Sequence, residues 1–197
     1  HSTQVLMLAW ALNEGPVEIW QPHLCPLPAG LAGGLEDTAI TKVAWNAAFE
    51  KNIFEHVLKI NLPYWTWDDP ANQARMLSMP GKLKSVCKIL QLPEEFSKDP
   101  EGEKLIDLFC KPAAFGGEET LFGISETWFH DWSTKPREWD RFLEYCRRDV
   151  IAEREIDKRL EKFPLPDIER QGWLLDQQIN ERGLPVDTDL VRATSAV

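Results

Sequence analysis

The sequence is poor in the groups that build zinc sites and disulfide frameworks. Its four cysteines, Cys25, Cys87, Cys110 and Cys146, are scattered and none belongs to a C-x-x-C pair. That argues against a structural zinc or a stapled fold, and for reduced thiols in the cytosol. The four histidines, His1, His23, His56 and His130, show no metal-ligand spacing and read as surface or core residues. Apolar runs are short. None reaches the ~18 residues of a membrane span, and no signal peptide is visible. Basic residues are outnumbered, 22 Lys and Arg against 32 Asp and Glu, for a formal net charge of −10. A protein that grips nucleic acid through a broad basic field does not have this balance. A nuclease remains compatible with it, because the carboxylates that hold catalytic divalent cations also add negative charge. No internal repeat or low-complexity tract interrupts the chain.

What is present fits one soluble domain with a core and a short extension, in 197 residues. The run Val5 to Leu12 is apolar throughout and of strand length; Asn13-Glu14-Gly15-Pro16 is turn chemistry, and Val17 to Trp20 alternates. Together these predict a β-hairpin. Three prolines make 21–28 a loop, and a short helix is expected over 31–39. Lys42 to Trp45 is a short strand ending at Asn46, followed by helical spacing of Phe49, Ile53, Phe54, Val57 and Leu58 up to Pro63. Residues 64–110 read as mostly helical, with Asp69-Pro70 as a helix start, and 111–127 as a long loop. Pro136 opens the strongest helix, whose apolar stripe is expected to be Trp139, Phe142, Leu143, Cys146, Val150, Ile156 and Leu160. A last helix runs from Asp167 to Arg182, with Gly183 as its C-cap. The layout is mixed α/β with few strands, one or two short of a stable sheet.

Two constellations could carry chemistry. Tyr145-Cys146-Arg147-Arg148-Asp149 lies on the strong helix, and its Tyr and Asp, four apart, project from one face. A phenol beside a carboxylate can steer a metal-bound water, although this spacing alone has an ordinary structural reading. Asn46-Ala47-Ala48-Phe49-Glu50 spans the junction of a strand and a helix. Glu50 there is equally a plain acid in a first helical turn, favourable to the helix dipole. Phe115, Phe122, Trp128, Phe129 and Trp132 could stack on unpaired bases or pack their loop onto the domain. Arg147 and Arg148 could meet phosphate or line a solvated helix face.

Taken together, these residues resemble a known family. Val43 to Glu50 is similar to the second exonuclease motif of the DEDDy nucleases, an Asn followed by an acid four residues later, and Tyr145 to Asp149 is similar to the third. The surroundings resemble the 3′–5′ proofreading exonuclease region of phage-type family A DNA polymerases. Ser2 to Leu12 looks like their second strand, Gly81 to Leu92 like their central helix, and Trp173 to Asp187 like the lead-in to their polymerase portion. The resemblance implies a ribonuclease H-like α/β fold, a mixed sheet flanked by helices, with its N-terminal strand missing. It implies an exonuclease domain over 1–163 and a helical lead-in over 164–197.

The activity implied is two-metal hydrolysis of the 3′-terminal phosphodiester with Mg²⁺ or Mn²⁺. Asp149 and Glu50 would be catalytic and metal-holding, with Tyr145 orienting water. Asn46, Phe49 and Arg148 would contact substrate. The implied partners are the 3′ end of single-stranded DNA, the remainder of a polymerase chain and, through an exposed sheet edge, a second copy; no membrane is implied. The location implied is the cytoplasm of a bacterium or phage-infected host. Two departures are expected to matter. Glu50 stands where the family usually has Asp, which changes its reach by about an ångström. The first motif, Asp-x-Glu, does not occur upstream of Asn46, so the metal site is expected to be incomplete and this chain nearly inactive by itself. A degenerate, non-catalytic scaffold and a ribonuclease of the RNase D kind are the rival readings.

Overall fold

Leu8–Trp10 (β1) and Glu18–Trp20 (β2) pair antiparallel, Leu8 opposite Trp20 and Trp10 opposite Glu18. The turn between them holds Asn13 at φ 50, a left-handed conformation that Asn tolerates better than most residues. The expected hairpin is therefore present, although only three residues of the apolar run Val5 to Leu12 are in strand conformation. The computed structural model describes residues 3–93, 101–113 and 128–195. The greater part of the loop expected over 111–127 lies outside them, as do Phe115 and Phe122.

Eight helices follow or flank the strands among the described residues. They are α1 (Ala29–Glu36), α2 (Ala48–Asn52), α3 (Pro70–Met76), α4 (Leu83–Ile89), α5 (Gly102–Cys110), α6 (Pro136–Leu160), α7 (Asp167–Arg182) and α8 (Thr188–Ser195). The single helix expected after Ala47 is in fact α2 running into a π-helical turn, Ile53–Val57. A second two-stranded sheet joins Lys42–Val43 (β3) to Trp67–Asp68 (β4) in parallel, Lys42 opposite Trp67.

The mixed α/β character expected from sequence is present, but the one mixed sheet is not formed among the described residues. Two separate two-stranded sheets take its place, because strands of two or three residues supply too few ladder bonds to join them. The reading of 64–110 as mostly helical is met by α3, α4 and α5, and β4 is a two-residue exception to it. It is squeezed between a 3₁₀ turn, Tyr64–Thr66, and the cap of α3, and two residues leave no alternation to recognise.

α6 is the spine of the molecule. Pro136 stands in its first turn, where a missing N–H costs nothing. Toward its N-terminus, Trp139, Phe142 and Tyr145 close over Leu105 and Phe109 of α5. Toward its C-terminus, Ala152, Ile156 and Leu160 pack on Ala74 of α3 and on Leu83, Val86 and Cys87 of α4. A third cluster joins Leu31 and Leu35 of α1 to Ala44, Ala47, Phe54, Leu62 and Trp67, with Trp173 of α7 against it. The buried stripe of α6 thus runs through Tyr145 and Ala152, not through Cys146 and Val150 as the apolar pattern suggested; the latter two are only half buried.

The boundary expected after Phe163 falls between α6 and α7. α7 nonetheless touches the earlier elements. Arg170 donates to Asp68 at 3.1 Å, and Lys51 lies 3.5 Å from Glu181. Among the described residues no helix is long and apolar enough to cross a membrane.

Candidate active site

The candidate residues lie at the bend between β3 and α2, where Trp45 packs against the cluster that holds Ala152 and Ile156, and on the middle of α6. Asn46, at the bend, is exposed and has φ 68. Its backbone N–H donates to Asp69 Oδ1 at 2.9 Å. Asp69 is at once the N-cap of α3, accepting from the N–H of Ala71 at 2.9 Å. On the other flank the Trp45 backbone is near enough to the Glu153 carboxyl of α6 to act against its upward shift, and the Trp45 indole N–H donates to the carbonyl of Gly81 at 2.9 Å.

Glu50 follows in the first turn of α2. Its Oε2 is buried with no hydrogen-bond partner. Burial pushes its pKa up to about 7, with the charge of Asp69 adding to the effect. Lys51 next to it is buried, but turns to Glu55 and Glu181 instead.

From α6, Tyr145 and Asp149 lie one turn apart, and a hydrogen bond with the Asp149 carboxylate is among the causes that raise the phenol. Burial, the Asp149 charge and that bond all hold the phenol protonated. The Tyr145 ring is stacked on Phe142 at 6.1 Å and lies directly against the backbone of Gly102, where a Cβ would collide with it. Cys146, between the two, is pushed up to about 11, chiefly by burial, with Asp149 and Glu50 both contributing.

The remaining candidates are less tightly placed. Phe49 is 61% exposed on α2. Arg148 pairs with Glu144 at 3.2 Å, while Arg147 donates to the carbonyl of Val17.

Two acids that the motifs did not single out belong to the same neighbourhood. Glu153, one turn beyond Asp149, is pushed up to about 8, first by burial and then by Glu50, Asp69 and Asp157. Asp69 is 6% exposed and also raised, again chiefly by burial. The helical spacing Tyr145, Asp149, Glu153 is visible in the sequence and could have flagged Glu153. The role of Asp69 beyond α3 leaves no local signal.

A second acidic cluster lies farther along α6. There a cleft of about 500 Å³ is lined by Glu14, Asp68, Asp69, Asp157 and Glu161, with Lys158 and Arg170. Among the described residues no group of three or more His, Cys, Asp or Glu is arranged to hold a metal ion. Glu50 and Asp149 are hard oxygen donors, and the unpartnered Oε2 of Glu50 fits a divalent cation as part of a donor set.

The chain is similar to the DNA polymerase of Bacillus phage SP02, with 34% identity over 193 residues, which take in 96% of this chain and 28% of that polymerase. It therefore spans less than a third of the length of this relative, to which almost its whole sequence is related. No protein-family model matches it, and no solved structure matches it.

Proposed function

We propose that this chain is the 3′–5′ exonuclease region of a phage-type family A DNA polymerase, with a ribonuclease H-like ancestry. In this reading residues 1–163 form the exonuclease portion and 164–197 lead into the polymerase portion. The observation that carries the reading is a buried acid with an unpartnered Oε2, Glu50 in the first turn of α2, together with a phenol and an acid one turn apart on α6. Asp149 is among the causes that raise the Tyr145 phenol, and Asp149 and Glu50 are both among those that raise Cys146. The likeness to a phage DNA polymerase supports it further.

Glu50 and Asp149 would hold a divalent cation, Mg²⁺ or Mn²⁺. Such an ion supplies Lewis-acid activation of water and charge stabilisation at a phosphodiester. The chain's own contribution follows from its geometry. Tyr145 is held protonated by its burial and by Asp149, so its hydroxyl can orient a water without taking part in proton transfer. Burial favours the neutral form of Glu50 in the absence of a cation, so binding one is expected to displace a proton from it. Asn46 and the exposed Phe49 line the approach from α2, where an unpaired base could stack. Arg148 stands beside Asp149 in sequence and pairs with Glu144, which Arg147 shares. The remainder of the polymerase chain and a second copy are the proposed protein partners. The latter would meet strand edges that no other strand covers among the described residues.

The sequence holds two of the four acids that the family implies, and catalysis that rests on preorganised charge should be slow with half of it. Cation binding is therefore tested together with turnover. Mn²⁺ should bind and should be lost in Asp149→Asn. Release of mononucleotides from a 3′-labelled single-stranded oligonucleotide should be barely detectable. Mn²⁺ binding that neither Asp149→Asn nor Glu50→Gln weakens would remove the basis for the proposal. Vigorous release abolished by Asp149→Asn would keep the function and correct the expectation of weakness. One observation favours a second reading, a non-catalytic scaffold of the same ancestry: no three-ligand group forms among the described residues. A scaffold should bind Mn²⁺ no better than any acidic surface.

A further inference from the structure

Gly102 opens α5, yet nothing in the backbone there asks for a glycine. Among the described residues the glycine with positive φ is Gly183. Any residue could adopt the conformation at 102, and glycine is the poorest helix former after proline. What the position does require is space. A Cβ there would run into Cδ2 and Cε2 of the Tyr145 ring and would lie 2.8 Å from Cζ, the carbon that bears the hydroxyl. Gly102 thus meets the hydroxyl end of the phenol, not only its root. The ring has little room to give way. Tyr145 is 5% exposed and is stacked on Phe142, which is stacked in turn on Phe109 of α5 at 5.3 Å. α5 has no easier retreat. Leu105 and Phe109 are buried in the same cluster. Glu101, the residue before Gly102, pairs with Arg141, one turn ahead of Tyr145 on α6.

We infer that Gly102 is a positioning residue: the bare backbone at the start of α5 is the seat that sets where the Tyr145 hydroxyl stands. The seat is read from packing alone; that the phenol orients a water rests on the function proposed above. Phe142 holds the plane of the ring, and Gly102 holds the side that runs out to the hydroxyl. A methyl group at 102 meets a ring and a helix that are both pinned. It therefore displaces the hydroxyl from its place one turn from Asp149, while the phenol and the acid stay chemically intact.

The chain has two tyrosines, Tyr64 and Tyr145, so protein labelled with ¹³Cζ-tyrosine gives one signal for each, assigned with Tyr64→Phe. In the whole chain Gly102→Ala should move the Tyr145 signal by several linewidths and leave that of Tyr64 in place. Ile156→Ala, a destabilised control on α6 away from the ring, should move neither. Gly102→Ala should also lower the denaturant midpoint, and in a Tyr145→Leu background, where Cε2 and Cζ are gone, that loss should shrink or reverse. Turnover is read in a polymerase chain that carries the upstream Asp-x-Glu pair. There Gly102→Ala and Tyr145→Phe should each lower kcat about tenfold or more with KM little changed. The two together should be no slower than Tyr145→Phe alone, since both act through one hydroxyl.

A Tyr145 signal that stays in place in Gly102→Ala, or that Ile156→Ala moves as far, overturns the seat. So does a loss of stability that is undiminished in the Tyr145→Leu background. If Gly102→Ala fails to fold, folding regained on adding Tyr145→Leu supports the seat, and folding lost in both overturns it. Losses of kcat that add in the double variant overturn the positioning role and leave Gly102 a packing residue. If Tyr145→Phe does not slow turnover while the Gly102→Ala signal moves as expected, the seat stands and the part given to the phenol in the nuclease reading falls.

Discussion

Two groups of acids lie along α6, and they differ in how much of their charge meets a cation. In the cleft beside its C-terminal half two acids are paired, while Asp157 is raised by burial and by the charges of Asp68 and Glu161. Glu14 pairs with Lys158, Asp68 with Arg170 at 3.1 Å, and the Lys158 bond holds the Glu14 carboxyl below the usual carboxylate range. At its middle, the charged groups acting on Glu50 and Glu153 are other acids, and both carboxyls are pushed upward by burial and mutual repulsion. The cleft of about 500 Å³ carries two of the ion pairs on its wall. At the inner group burial comes first among the causes that raise Glu50 and Glu153, and no cation is among them. Acids kept in that state are a mark of functional sites, and the same helix buries aliphatic and aromatic side chains on either side of them at no such cost.

The contrast breaks or sharpens under substitution. The largest expected effect is on turnover. In a polymerase chain that also carries the upstream Asp-x-Glu pair, Asp149→Asn or Glu50→Gln should slow mononucleotide release by about two orders of magnitude or more. Asp157→Asn and Glu161→Gln in the cleft should leave it within about twofold of the parent; gel analysis of a 3′-labelled oligonucleotide measures both.

Next comes the packing of the phenol. Gly102→Ala drives a methyl group into the Tyr145 ring and should cost about 1–3 kcal/mol in denaturant unfolding. Gly172→Ala on α7, where nothing lies within 4 Å of an added Cβ, should instead stabilise by about 0.5–1 kcal/mol.

A smaller effect separates the two groups by the sign of their pH dependence. Raised acids bind protons more tightly when folded. The contribution of Glu50 and Glu153 is therefore fully present below the ordinary carboxylate pKa and is lost as pH climbs through about 7 and about 8. Metal-free protein should unfold at a lower temperature at pH 8.5 than at pH 5, and Glu50→Gln with Glu153→Gln should flatten that slope. Glu14, whose pKa is lowered, contributes above its ordinary range and loses its part as pH falls, so Glu14→Gln should leave the alkaline slope untouched. The smallest change is expected from Lys158→Ala and Arg170→Ala, each worth less than about 1 kcal/mol because the pairs are exposed.

What the sequence made legible was whatever local chemistry decides. The hairpin follows from an Asn-Glu-Gly-Pro turn between apolar runs, α3 from the Asp69 cap, and the end of α7 from Gly183, which takes φ 65. Pro136 marks the start of α6. The placing of Tyr145 and Asp149 on one face of α6 follows from one helical turn of spacing. The rest depends on partners distant in sequence. Ala152 is completely buried and Val150 is not, because α3 and α4 choose the face of α6, not hydrophobicity. Tyr145 and Asp149 themselves lie on the stripe that Phe142, Ala152 and Ile156 continue, where a pattern of apolar residues passes over a phenol and an acid. Asp69 reads as a helix cap and nothing more until its second bond, to Asn46, appears in space. Glu50 looks like any first-turn acid, because burial by other segments has no signature at its own position.

Paramagnetic line broadening by Mn²⁺, added in small substoichiometric steps to isotope-labelled protein, tests the central claim most directly, since it registers even weak sites by proximity. If Glu50 and Asp149 face one cation, amide signals of residues 46–50 and 145–153 should broaden together and first. Broadening that begins instead at Asp68, Asp157 and Glu161, or that spreads evenly over the acidic surface, would contradict the account.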